Sequence, residues 1–357
     1  MNPRQSFFSK FKNNRRGYFS FLLLSSLFLL TLFAEFIAND KPLLVRFKGD
    51  FYFPIFSSIS EKFLGGEFET TADFRDPEVV KLVKKNGHSG NLPAENLPTG
   101  AEPKDLVEGL IFFPPIPFSY DTINYSVKSP APSKPTLANL FGTDDNGRDV
   151  LARTIYGVRL SLVFGLILTF FSAILGIFLG AIQGYFGGLC DLVLQRFMEI
   201  WSSMPVLFLL IILASIIEPN FFVLLGLMLL FSWMSLVGYV RAEFLRLRNF
   251  DFVRASKALG ASNFRIIFRH ILPNASPIII ANLPFLLAGS ITTLTSLDFL
   301  GLGMPASSPS LGELLAQGKN NLTAYWLGIT GFVVITVILT TLVFIGEAVR
   351  DAFDTRK

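Results

Sequence analysis

The sequence predicts an all-α integral membrane protein with six transmembrane helices and a large external insertion after the first. Three observations lead there. Of 357 residues, 51% are hydrophobic, and the mean hydropathy is +0.51, too apolar for a soluble domain of this size. Six apolar runs are each long enough to cross a hydrocarbon core of about 30 Å, which takes about 20 helical residues. Between the first and second runs lies a long stretch of mixed charge with its own aromatic residues. Helices are required because an unpaired backbone group in lipid costs several kcal/mol.

Residues 1–17 form a tail carrying Arg4, Lys10, Lys12, Arg15 and Arg16 and no acid. The excess of cations predicts a cytoplasmic location. The first span is assigned to residues 18–38, around the apolar run Tyr18–Ile37. Phe36, Ile37 and Ala38 occupy the place of a small-residue cleavage site, so an uncleaved helix is expected. Residues 39–159 then lie outside. Their aromatic and apolar residues, Phe51, Tyr52, Phe53, Phe112, Phe113 and Tyr120 among them, are too many for a disordered linker. Asp76 and Pro77 predict the cap and first turn of a short helix over DPEVVKLVKK, and Pro114 to Pro135 an extended, proline-rich exit.

Residues 160–349 hold five spans, at Leu160–Gln183, Gln195–Ile217, Phe222–Val240, Pro277–Phe299 and Trp326–Val349. Gly176, Gly180 and Gly184 share one face of the second span, a spacing that lets helices approach closely. Arg196 and Glu199 predict an interfacial ion pair, and Pro205 a kink in the third span. The fifth span is dense in hydroxyls. Such groups bond back to their own helix or across to a neighbour; alternatively part of the run, with Thr292, Thr295 and Ser296 as one face, lines a wet pathway. Cys190 has no partner for a disulfide and reads as a small apolar filler. Residues 350–357 form a second cytoplasmic tail, since an even number of spans returns the chain to its starting side.

The connection 241–276 is basic. Within it, Asp251–Asn274 has apolar or small residues at Phe252, Ala255, Ser256 and Leu259, and again at Phe264, Ile267, Phe268 and Ile271, the spacing of one helical face. Gly260 suits a left-handed helix end. Ser262 can cap a second helix, and Pro273 is expected to end it. Arg254, Lys257, Arg265 and Arg269 make the polar face. Two short helices joined by a glycine elbow are therefore expected at the membrane surface, offered to something outside the bilayer. Anionic lipid headgroups account for the cations better than nucleic acid, which is not expected as a partner.

This segment resembles the docking loop of bacterial ABC importer permeases. Ala255, Ser256, Gly260, Leu272 and Pro273 fall on its pattern; Arg254 stands in place of its glutamate, Ser256 of its second alanine and His270 of a common isoleucine. ALGASN and FRHILPN are the wording of the dipeptide/oligopeptide branch. ANDKPLLVRFKGDFYFP, TTADFRDPEVV and PPIPFSYDTINY resemble the Yej-type permease subunits, associated with oligopeptides and the peptide antibiotic microcin C; dipeptides or nickel chelates are alternative cargoes of the wider family. The resemblance implies the type I importer permease fold in the bacterial inner membrane, with residues 39–159 a periplasmic insertion that either meets a delivering receptor or covers the mouth. It also implies an ATPase-coupling role for Arg254, Ala255, Ser256, Gly260, His270, Leu272 and Pro273. The implied partners are a second homologous permease subunit forming a heterodimer, two ATPase domains or one tandem ATPase, a periplasmic binding protein and membrane lipids. ATP and Mg would sit on the ATPase, with no cofactor on this chain.

Enzymatic function is not expected. There is no Walker A motif, no G-x-S-x-G and no Cys/His metal cluster. Gly312, Gly318 and Lys319 only approximate a P-loop, and the histidines, His88 and His270, have no partner pattern. A stand-alone secondary transporter or channel is the competing reading. Repeated halves and intramembrane ion sites would mark one, and neither is found.

Overall fold

In the computed structural model, residues 3–85, 109–127 and 129–353 are described. His88, Arg356 and Lys357 lie outside them. The chain divides into two compact units, Leu30–Tyr156 and a second made of Met1–Leu29 with Gly157–Lys357.

Among the described residues of the second unit the regular elements are all helices. Helix α1 (Pro3–Asn13) ends at Asn14, whose Oδ1 accepts the Gly17 N–H at 3.2 Å and so starts α2 (Arg15–Leu32). α5 (Val150–Phe186) is 37 residues long, about 55 Å at ~1.5 Å per residue, so it overshoots the bilayer. α6 (Gly188–Ser202) and α7 (Val206–Ile216) are bent by 60° at Pro205. The kink expected at Pro205 is thus a full break within the run Gln195–Ile217, because proline removes an N–H and its ring crowds the turn before it. α8 (Phe221–Ser232) and α9 (Met234–Leu247) run on as one span. α10 (Asp251–Ala258), α11 (Asn263–Arg265) and a π-helical turn over Ile266–Ile271 lead into α12 (Leu272–Phe299). α13 (Leu311–Asn320) and α14 (Tyr325–Phe353) complete the bundle.

Among the described residues four helices are individually long and apolar enough to cross a membrane, five counting the bent pair; α2, whose 18 residues include Arg15 and Arg16, is not one of them. The run Tyr18–Ile37, expected as the first span, falls on α2 and, after a turn at Phe33, the short α3 (Ala34–Ile37). A further correction concerns Pro273. It does not end the docking helix: it occupies the first turn of α12, where its missing N–H leaves no bond unmade, and the helix runs straight through it.

The unit Leu30–Tyr156 contains a sheet that hydrophobic patterning leaves unannounced, because its strands are three or four residues long. β1 (Leu44–Phe47) lies between β2 (Asp50–Tyr52) and β3 (Leu110–Phe112), antiparallel to both. α4 (Pro77–Lys85) packs Val79 and Val83 against Val45, Phe47 and Leu64. Its cap forms at Asp76, whose Oδ1 accepts the Glu78 N–H at 2.8 Å. Toward α5, Asp144 pairs with Arg148 at 2.7 Å and lies 3.5 Å from Arg153. Asp149 caps α5, accepting the Ala152 N–H at 2.7 Å. Burial raises the Asp149 carboxyl above its ordinary pKa.

Candidate functional site

The segment Asp251–Asn274 is held from beneath and open above. Val253, Ile266, Ile267 and Ile271 are buried together with Ala181, Tyr185, Leu236, Val240, Phe244 and Ile279, so the loop is seated on α5, α9 and α12. The Tyr185 hydroxyl donates to Asn263 Oδ1 at 2.8 Å, and Lys257 Nζ lies 5.8 Å from the centre of the Tyr185 ring. Arg248 donates to the carbonyls of Gly184 and Tyr185 at 3.4 and 3.3 Å. The end of α5 is thereby bonded to the base of the loop and to the end of α9.

Gly260 has φ +79° and is the reason the elbow exists. The Gly260 N–H donates to Lys257 O at 3.0 Å and the Ala261 N–H to Ser256 O at 3.1 Å, the paired bonds that close a helix on a left-handed residue. Nothing lies within 4 Å of where a Gly260 Cβ would stand. Ser262 Oγ accepts the Arg265 N–H at 3.4 Å and opens the next helix. The π turn that follows lets the loop enter α12 without a break, a local widening that recurs at functional sites.

The outer surface is aromatic as well as cationic. Leu259 is 87% and Phe264 71% exposed, with Phe252 and Phe268 also open. Phe264 and Phe268 have ring centres 4.5 Å apart. So most of the apolar face read from the spacing looks outward: only Ile267 and Ile271 of it are buried, joined by Val253 and Ile266. Arg254, Ala255 and Pro273 are exposed, and Ser256, His270 and Leu272 partly so. Arg254 has only a 4.0 Å approach to the fully exposed Asp251, a contact worth little in water. Ser256 Oγ bonds back to Phe252 O at 2.8 Å. An apolar, cation-rimmed platform on a rigid base can bind a protein cleft of complementary shape.

Above the loop, the glycines of α5 face α9. A Cβ on Gly176 would stand 2.9 Å from Trp233 O, and one on Gly180 2.8 Å from Val240 Cβ. One on Gly184 would meet Phe244 Cβ, with Arg241 O at 2.7 Å. Arg241 also donates twice to Asp191, at 2.5 and 2.7 Å, tying the start of α6 to α9. Arg196 and Glu199 pair at 2.5 Å on an exposed face.

A cavity of about 560 Å³ opens between α7, the α8–α9 span and α12. Its polar lining is Ser232, Ser235, Tyr239, Asn282, Ser290 and Thr293. Another cavity shares Tyr239, Asn282 and Phe285 with it and reaches Arg350. Thr292 and Ser296 are exposed on α12 and donate to Ala288 O and Thr292 O at 2.8 Å, while Thr295 is buried. None of those three lines the cavity. Ser290 and Thr293 do, and both also bond back to their own helix. The serines of α8 and α9 that complete the lining carry no signal in the sequence, being single hydroxyls in apolar runs.

The match to known proteins extends over both the loop and the bundle. Residues 173–357 fit the family model described as "Binding-protein-dependent transport system inner membrane component". The chain is 52% identical to the inner membrane ABC transporter permease protein YejE of Escherichia coli (strain K12), over 99% of this chain and 97% of that protein. It is 50% identical to the peptidoglycan transport system permease protein YejE of Agrobacterium fabrum, over 100% and 96%. Identity to the oligopeptide transport system permease protein OppC of Lactococcus lactis subsp. lactis is 37%, over 62% and 77%. A chain matched by that family model across half its length, and by such a relative along nearly all of it, belongs to the inner-membrane permeases of binding-protein-dependent ABC transport systems.

Proposed function

We propose that this chain forms one half of the pore of an ATP-driven oligopeptide importer and is driven through α10 and the π turn by separate ATPase subunits. The observation that carries the reading is the loop's construction: an open platform of Phe252, Leu259, Phe264 and Phe268 on a base locked into α5, α9 and α12. Force applied to the platform reaches three spans at once. ATP and Mg bind on the ATPase, as two domains or one tandem protein, and this chain holds no cofactor. Nucleotide can bias the bundle between outward and inward states only by binding one docked arrangement more tightly than the other.

The cargo class is supported by the relatives named for oligopeptide and peptidoglycan transport and by the cavity. Its wall is mainly apolar, with Leu168, Met228, Phe231 and Phe285 among it, and its polar groups are hydroxyls, an amide and a phenol with no charged side chain. Such groups replace the hydrogen bonds that a peptide's amides lose on leaving water, without selecting side chains. Microcin C-like peptides fall in this class. One chain supplies one loop and one wall, so a second, homologous permease completes the pore as a heterodimer. Thr292 and Ser296 lie on the open face of α12 toward it, and Thr295 stays within this half. A periplasmic binding protein delivers the peptide. The cations of residues 1–17 and 241–276 support cytoplasmic termini and a periplasmic location for residues 39–159.

The test is cysteine cross-linking from positions 259 and 268 in the assembled transporter. Adducts to the ATPase that change in yield with ATP are expected. Labelling of residues 251–274 from outside the cell, or the absence of any ATPase adduct, would overturn the proposal.

A further inference from the structure

We propose that the turn Phe53–Ser57 is a membrane anchor, inserting Phe56 into the leaflet at which α2 ends. α2 has 18 residues, about 27 Å at ~1.5 Å per residue, and with α3 it carries the apolar run Tyr18–Ile37 expected to cross the ~30 Å hydrocarbon core. With Arg15 and Arg16 at one interface, Leu32 and Phe33 therefore reach the other. The apolar surface of α2 and of the turn after it is open: Leu29, Leu30 and Phe33 are 56%, 58% and 58% exposed. The aromatic surface does not stop there. The ring centres of Phe33 and Phe36 are 6.3 Å apart, and those of Phe36 and Phe56 are 5.9 Å apart, edge to face. Phe56 is thereby fixed at the depth where the span leaves the bilayer, while being 76% exposed.

The turn is built to hold it there. Pro54 is buried, and the Phe56 and Ser57 N–H groups both donate to Phe53 O, at 3.0 and 3.3 Å. No charged residue occurs from Phe51 to Ser60, so insertion desolvates no ion. Phe53, also open, sits beside the tip. Continuity with the open apolar side of α2, on the run expected to cross the bilayer, favours acyl chains over a protein as the occupant.

Spin labelling tests this in the full chain, reconstituted in vesicles of phosphatidylethanolamine and phosphatidylglycerol. Cys190→Ser removes the native thiol, and nitroxides are placed by Phe56→Cys, Phe53→Cys or, as a reference in water, Glu69→Cys, whose native side chain is 82% exposed. At 56 and 53, collisions with oxygen should exceed those with a nickel chelate several-fold, with the order reversed at 69. Nickel access at 56 equal to that at 69 would put the turn in water. Exclusion of both reagents would mean that a protein surface covers it. Either result overturns the anchor.

Discussion

Replacing Gly260 separates two explanations of the docking elbow. Its φ of +79° is a conformation that a β-carbon disfavours, and the space around a Cβ is open within this chain. The penalty is thus conformational, about 1–2 kcal/mol for an ordinary residue, and lower for asparagine, which tolerates the left-handed region. A shift of that size changes the ratio of formed to unformed elbow by roughly 5- to 30-fold. If the elbow transmits force, peptide uptake by the reconstituted transporter should follow Gly > Asn > Ala > Val at equal membrane abundance. ATP hydrolysis should fall less than uptake. If instead the ATPase packs closely on the Gly260 α-carbon, bulk decides and alanine outperforms asparagine. Wild-type uptake by Gly260→Val would refute the coupling argument outright.

Gly180→Ala should lower the melting temperature of the detergent-solubilised chain by an amount equivalent to about 1–3 kcal/mol, since its Cβ would stand 2.9 Å from Val237 O as well as against Val240. Gly238→Ala on α9, with nothing within 4 Å, should be neutral or stabilising. Asp191→Ala should cost roughly 1–3 kcal/mol by leaving Arg241 without its acceptor, and the exchanged pair Asp191→Arg with Arg241→Asp should recover part of it. Because burial raises the Asp149 pKa above 3.8, the folded state binds its proton more tightly than the unfolded chain. That contribution is present below the unfolded pKa and is lost as pH rises through the folded one. Thermal melts should show Asp149→Asn flattening this part of the pH profile; an unchanged profile would remove Asp149 as its source.

Much of the local structure is legible from neighbouring residues alone. A left-handed glycine after a short amphipathic run, a serine opening the next helix and Asp76–Pro77 opening α4 are preferences of the backbone and its nearest side chains. Pro205 likewise acts on its own turn, so the break between α6 and α7 is readable, although its 60° bend is not. Pro273 shows the limit. In the first turn of a helix a proline's missing N–H breaks no bond, so Pro273 opens α12, which continues past Pro277 and Pro284 as well. The three short strands escape pattern reading because alternation over three or four residues is indistinguishable from chance.

By itself the sequence determined that this is a bundle of membrane helices, which ends are cationic, and where the docking segment bends, because span length, charge bias and φ preference are properties of contiguous residues. Only the tertiary structure decided which side of that segment faces outward and which hydroxyls share a cavity. Phe252, Phe264 and Phe268 are as apolar as Ile266 and Ile271; α5 and α9 cover the isoleucines and leave the phenylalanines open. Ser232, Ser235 and Ser290 meet because helices distant in sequence pack together. Burial is assigned by neighbours across the bundle, and no local pattern encodes them.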